Sequence, residues 1–426
     1  TIHPTQPTAA HELVQSAIGA ATRDPRFDPV SIAELPDLEV HVQLLETPER
    51  VESPDDLDPL RYGPIGRSGR SRRAEHPGRA DRGRLPEGRH FAVCSPGAVS
   101  FSHPRCRVTP CALLVNPEHK AHALAGHPER PERVDAILDA IAEADLGLTP
   151  EPSPPASELL ITRVHDLRYL AALDEAAAAG GGMIPPDTYL RPGSMHAART
   201  AAGAVVEGVK RVLRGDAQHA FAVVRPCGHH AERATAMGFC LINNVAVGVF
   251  AARQLGVQRI AVIDFDVHHG NGTQNTFYED TDLLYSSTHL YGPWRGQTFF
   301  PGTGAATERG WGAGTGTTLN IPLPAGTGDA GFLAAYRTQV AAAVESFKPA
   351  LILVSAGFDA HAADPLAGLE ASTDAYRQLA ELITGWADQF AGGRTVWALE
   401  GGYDLGALGD SAVACLRVLV GLRRPA

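Results

Sequence analysis

Six apolar runs organise the chain beyond residue 112, and each gives way to polar or glycine-rich sequence. They are "HAFAVVRP" (219–226), "RIAVIDFD" (259–266), "DLLYSST" (282–288), "TTLNIPL" (317–323), "ALILVSAGF" (350–358) and "RTVWALEGG" (394–402). Short runs rich in branched apolar residues and bounded by turn residues predict buried strands. Alanine-rich stretches such as "HAARTAAGAVVEGVKRVL" (196–213) and "NNVAVGVFAARQLG" (243–256) lie between several of them and predict helices. Strands alternating with helices imply an α/β fold: one large domain, 112–422, with a mainly parallel central sheet flanked by helices on both faces. In such sheets the binding groups collect at the strands' carboxyl ends.

The polar clusters fall at those ends. In "VIDFDVHHGNG" (262–272) two acids and two histidines occupy six residues behind an apolar run. The strand's two-residue period predicts that Asp264, Asp266 and His268 share one face. Three such groups are costly to bury unless something is bound there. "RPCGHHAERATAMGFC" (225–240), "GFDAHAADPL" (357–366) and "EGGYD" (400–404) follow three other predicted strands, so four strand ends are expected to converge on one pocket.

The first hundred residues differ. "DPRFDPVSIAELPDLEVHVQLLETPERVESPDDLDPLRYG" (24–63) offers one short amphipathic strand, "LEVHVQLL" (38–45), among turn-rich sequence. Its "DPRF…ELP…EVHV…DP…YG" pattern resembles the middle of an AMMECR-type domain, so 1–65 reads as a truncated fragment of one, or as an irregular extension. "GRSGRSRRAEHPGRADRGRLPEGRH" (66–90) is rich in Arg, Gly and Pro. With so little to bury, 66–111 reads as a disordered linker.

Composition narrows the partners. A formal charge of −11 over 426 residues argues against nucleic acid. No run of about 18 apolar residues exists, so no membrane span is expected. The N-terminus lacks the basic start and apolar centre of a secretory signal. Six cysteines without a CxxC pair suit a reduced, cytoplasmic setting. The oligomeric state is not legible.

The clusters suggest hydrolysis at a metal. Asp266, His268 and Asp359 form an Asp/His/Asp set that leaves room for water and substrate, as at a catalytic zinc. Iron or manganese would suit the same oxygen-rich donors. A lone D-x-H is more often a loop cap, but a second acid cluster at another strand end favours metal. Of the adjacent pair His229 and His230, one suits a general base and the other a charge-adjusting partner, with Asp264 and Asn271 available to fix their tautomers. Tyr403, after two glycines, suits donation to a developing oxyanion. Asp187, in "PPDTYLRPG", suits acceptance of a substrate N–H, although alone it is an ordinary turn aspartate. Together these parts point to metal-assisted amide hydrolysis. No nucleophile elbow, Walker loop or dinucleotide fingerprint competes.

"GHPERPERVDAI" (126–137), "RPCGHHA" (225–231), "GFCLINNVAVG" (238–248), "DFDVHHGNGTQ" (264–274), "FFPGTG" (299–304), "SAGFDAHAADPLAGL" (355–369) and "LEGGYD" (399–404) together resemble the zinc-dependent histone deacetylase and acetylpolyamine amidohydrolase family of the arginase–deacetylase superfamily. The "HHGNG" asparagine and the "GFDAH" block look more like its class II branch.

The resemblance implies zinc held by Asp266, His268 and Asp359, His230 as base, His229 as its electrostatic partner, and Asp264 and Asn271 in support. It implies that Tyr403 steadies the oxyanion, and that Asp187, Gly238, Phe239 and Leu366 meet the substrate. It also implies a structural potassium ion near Asp264, the backbone oxygens of Asp266 and His268, and Ser287 and Thr288. A second cation is implied around Phe277, Asp280 and Leu283.

Three departures stand out: Cys227 for the usual second proline beside the histidine loop, Phe265 for a common tryptophan, and Leu366 where polyamine-selective eukaryotic relatives carry glutamate. The substrates implied are acetyl-lysine in proteins or related linear acyl-amines, with acetylpolyamines or other small amides as the alternative. A non-catalytic acyl-lysine-binding protein on the same fold would be expected to lack His230, Tyr403 or a ligand.

Overall fold

In the computed structural model, the described residues are 109–422. The fragment, the "LEVHVQLL" strand and the linker up to residue 108 lie outside them. The strands are, in chain order, β1 (Thr109–Val115), β2 (Pro150–Pro152), β3 (Gly182–Ile184), β4 (Thr188–Leu190), β5 (Ala217–Val223), β6 (Ile260–Asp264), β7 (Leu283–Leu290), β8 (Pro293–Trp294), β9 (Gln297–Thr298), β10 (Thr318–Leu323), β11 (Leu351–Ala356) and β12 (Thr395–Leu399).

Eight of them form one sheet in the order β10-β7-β6-β11-β12-β5-β1-β2. Every pairing in it is parallel. β6, β7, β11 and β12 are buried along their whole length, as expected of parallel strands covered on both faces. Helix Ser194–Arg214 packs with Asn244–Gln254 in one layer, and Leu405–Leu419 packs with Thr373–Phe390 and Glu132–Glu143 in the other.

Among the helix starts fixed by N-caps, Asn243, Ser372 and Asp404 accept the N–H groups of Ala246, Ala375 and Ala407, each satisfying an otherwise orphaned donor. The Asp404 cap matters most here, because it anchors the chain directly after Tyr403. Phe265 joins a ring cluster with Phe358, Tyr376 and Trp397, so the departure from tryptophan is absorbed in the core.

β6, β11, β12 and β5 are consecutive neighbours in the sheet. The four polar clusters therefore leave adjacent strand ends on the same side.

Candidate active site

The strand preceding the first cluster stops at Asp264, sooner than the two-residue period assumed. Asp264 turns to His229, while Asp266 and His268 are set by the loop that follows. Asp266 Oδ2 accepts the Gly401 N–H at 2.7 Å, and Asp359 Oδ1 accepts the Val267 N–H at 2.9 Å. Asp266 Oδ1 also accepts the His268 N–H at 2.9 Å, so backbone donors hold both oxygens of Asp266 and one of Asp359. Asp266 Oδ1 and Asp359 Oδ2 each lie 3.1 Å from His268 Nδ1.

These three side chains offer ligand atoms within 4.8 Å of one another. Both acids are buried, and burial together with the Asp266 charge pushes the Asp359 carboxyl up to about 7. Two buried carboxylates around one imidazole make a site whose charge favours a cation. The donor set and its outer hydrogen bonds fit a divalent metal with an open coordination position.

Beside this set, His229 Nδ1 lies 3.0 Å from Asp264 Oδ2, and the Tyr285 hydroxyl donates to the same oxygen. Burial opposes protonation of His229, but Asp264 and Asp266 outweigh it and raise its pKa well above the ordinary value. His230 Nδ1 meets Asn271 Oδ1 at 2.8 Å. Burial and the neighbouring His229 and His268 keep its pKa well below the usual range. Gly238 permits this packing: with φ at +57°, a Cβ there would fall 2.3 Å from His230 Cδ2.

Glu400 is a site residue the sequence reading missed. Its Oε2 accepts the N–H groups of Gly228 and His229 at 2.7 and 3.1 Å, pinning the histidine loop. The acid next to "GGYD" was its only signal. Cys227 stays packed in this loop, its Sγ 3.3 Å from Cys240 Sγ. Cys227, Cys240 and Glu400 are close enough to share an ion, but both Glu400 oxygens already accept hydrogen bonds, Oε1 from Ser355.

A buried ion network supports the same strand end. Arg225 Nε and Nη2 donate to Glu129 at 2.9 and 2.5 Å. Arg133 donates to Glu129 and to the carbonyls of Gly402 and Glu400, and its guanidinium sits 5.0 Å over the Tyr403 ring. The Tyr403 N–H is held by Asp364 Oδ2 at 2.8 Å.

One cleft of about 470 Å³ opens onto His230, His268 and Tyr403, and Asp187, Gly238, Phe239 and Leu366 all line it. Asp187 Oδ1 accepts from Gly238 N–H and from the Thr188 hydroxyl, each at 3.0 Å. Phe299 and Phe300 also line it, Phe299 stacked on His268 and Phe300 edge-on to His230. The "FFPGTG" motif was read only as a family signature, and its ring contacts were not anticipated.

The expected potassium donors are compatible with a cation. Register pairs Asp264 with Ser287 across β6 and β7. His289 Nε2 meets the Gly304 carbonyl, so it carries the proton. Its Nδ1 then accepts from the Ser287 hydroxyl at 2.8 Å, leaving the Ser287 lone pairs available, while Thr288 Oγ1 is buried without a partner. At the second expected cation position, the Asp280 carboxylate is paired bidentately with Arg253, which leaves backbone oxygens as the remaining donors.

Among the described residues, no helix is long and apolar enough to cross a membrane.

The family model for the histone deacetylase domain matches residues 127–419, and that for AMMECR1 matches residues 1–76. The chain is 41% identical over 320 residues to histone deacetylase 10, chloroplastic, of Oryza sativa subsp. japonica, spanning 70% of this chain and 71% of the relative. It is 39% identical over 305 residues to the histone deacetylase-like amidohydrolase of Pseudomonas aeruginosa, spanning 71% and 79%. The crystal structure of the HDA15 HD domain matches with a TM-score of 0.69 and 34% identity, over 73% of this chain and 88% of that one.

Proposed function

Because the chain belongs to the histone deacetylase family, we propose that it is a zinc-dependent amidohydrolase that removes acetyl groups from acetyl-lysine or a similar linear amine. One observation carries this reading: His268 of the Asp266–His268–Asp359 set lines one cleft together with His230 and Tyr403. A zinc ion held by those three ligands would supply Lewis-acid polarisation of an amide carbonyl and of a water molecule.

The chain's own groups do the rest. His230, with Nδ1 engaged by Asn271, presents Nε2 to accept a proton from the attacking water and then return it to the leaving amine. His229, charged through Asp264 and Asp266, keeps His230 neutral and ready. The Tyr403 phenol donates a hydrogen bond to the carbonyl oxygen as it gains negative charge. Asp187, with Oδ1 committed to Gly238 and Thr188, keeps Oδ2 for a substrate N–H. Phe239 and Phe300 enclose an uncharged chain, and Leu366 offers no carboxylate to a second ammonium. Acetyl-lysine therefore fits better than an acetylpolyamine. A structural potassium ion by Asp264, Ser287 and Thr288 belongs to the same proposal.

The test is acetate release by metal-quantified protein from an acetyl-lysine peptide, acetylputrescine and acetylspermidine, with and without a zinc chelator. Chelator-sensitive release, greatest from the peptide, is expected. No release from any of the three by zinc-loaded protein would overturn the reading.

A further inference from the structure

The mouth of the cleft carries a device that the hydrolytic chemistry does not use. β8 and β9 form a two-residue-strand hairpin, Pro293–Trp294 paired with Gln297–Thr298, and its Trp294, Arg295, Gln297 and Thr298 line the cleft. Its two central residues, Arg295 and Gly296, have φ of +50° and +80°. A tight hairpin of this kind demands two positive φ angles, usually supplied by Asn, Asp or Gly. A long β-substituted side chain at the first position is strained, so the conformation is retained against local preference.

One contact holds that arginine, and two more hold the ring beneath it. Its guanidinium lies 4.0 Å over the Trp294 ring. Trp294 is seated on Gly368, where a Cβ would fall 2.3 Å from the indole Nε1. Trp294 also meets Phe299 edge-on at 5.6 Å, and Phe299 stacks on His268 at 4.9 Å. A continuous chain of ring contacts therefore runs from the rim cation to His268.

Among the described residues, Arg295 is the only arginine or lysine lining the cleft, and Asp187 the only carboxylate. Among the described residues, Arg295 forms no ion pair. A guanidinium fixed at a mouth without a protein counter-ion is free to take a carboxylate from a substrate. It also repels a second ammonium arriving beside the acylated one.

We propose that Arg295 is a specificity-determining residue: held by Trp294, it selects acyl-lysine in polypeptide segments carrying an acidic residue near the lysine, and disfavours polycationic substrates. This rests on the deacetylase reading above.

The experiment uses two acetyl-lysine peptides identical except for Glu or Lys flanking the modified residue. Wild type, Arg295→Gln and Arg295→Glu are compared by steady-state kinetics and, independently, by fluorescence anisotropy of the labelled peptides. In wild type the acidic peptide should be preferred about three- to fivefold, the scale of a solvent-accessible ion pair, through KM more than kcat. The preference should vanish in Arg295→Gln, invert in Arg295→Glu and weaken with added salt. An equal ratio in all three proteins would overturn the proposal. The binding arm decides the same question without turnover. Absent hydrolysis of every peptide would therefore count against the deacetylase reading, while the anisotropy ratios still judged Arg295.

Discussion

Asn271 dictates which nitrogen His230 shows to the cleft. The Asn271 amide nitrogen donates to Glu232 Oε1 at 2.7 Å, which fixes the amide orientation and leaves Oδ1 facing His230 Nδ1 at 2.8 Å. That oxygen only accepts, so Nδ1 carries the hydrogen and Nε2 keeps its lone pair. The imidazole proposed as the base is oriented here by a neighbour that neither charges it nor competes with it.

His230→Ala should retain the metal and lose about 10²–10⁴-fold in kcat, the range for a positioned general base. Asn271→Ala should lose less, about 10-fold or more, because the imidazole remains but its tautomer and orientation are no longer fixed. Metal analysis alongside steady-state kinetics checks both. An active His230→Ala protein would remove the residue from the mechanism.

Tyr403→Phe removes one donor without touching the backbone anchor at Asp364. The expected effect is a fall in kcat on the order of 10²–10³-fold, with substrate affinity changed much less. Turnover like that of wild type would exclude the phenol as an oxyanion donor.

Asp359→Ala takes away one carboxylate of the metal set and the acceptor of the Val267 N–H. Zinc content after dialysis should fall well below that of wild type, and activity with it. Undiminished zinc in this variant would show that the ion sits elsewhere.

The Glu129 network predicts acid sensitivity. Burial alone would raise this carboxyl, but Arg225, His122 and Arg133 together hold it down to about 2. An acid with a depressed folded-state pKa stabilises above its unfolded value, near 4.5, and the contribution is lost as pH falls toward 2. Burial holds His122 down to about 4, so its neutral form adds stability that declines as pH drops below about 6.5. Urea midpoints should thus fall in two stages between pH 6.5 and pH 2. Glu129→Gln should cost about 3–5 kcal/mol at pH 7 by stranding buried arginines, and should flatten the lower stage. An unchanged slope in that variant would locate the acid sensitivity elsewhere.

Much of this architecture was legible because buried parallel strands are apolar on both faces and stop where chemistry begins. β6, β11 and β12 lie inside the runs read from the sequence, and the acids and histidines stand at their ends. β1 is less visible. It starts at Thr109, inside the stretch that composition assigns to a linker, because Thr-Pro-Cys carries little apolar signal.

At the site, metal-type residues announce themselves by side-chain chemistry, and Asp187, Gly238, Phe239 and Leu366, which the family resemblance singles out, line the cleft. Glu400, Phe300 and Arg295 did not stand out. Their relevance comes from distances set by tertiary folding: a carboxylate against two backbone amides, a ring against His230, a guanidinium over an indole. Local spacing contains none of these.

The most direct test of the account is a zinc titration. Chelator-treated, full-length protein would be titrated with zinc while acetate release from an acetyl-lysine peptide is followed. Activity should start near zero and saturate at about one zinc per chain. Full activity in the metal-depleted protein, or none at one equivalent of bound zinc, would contradict it.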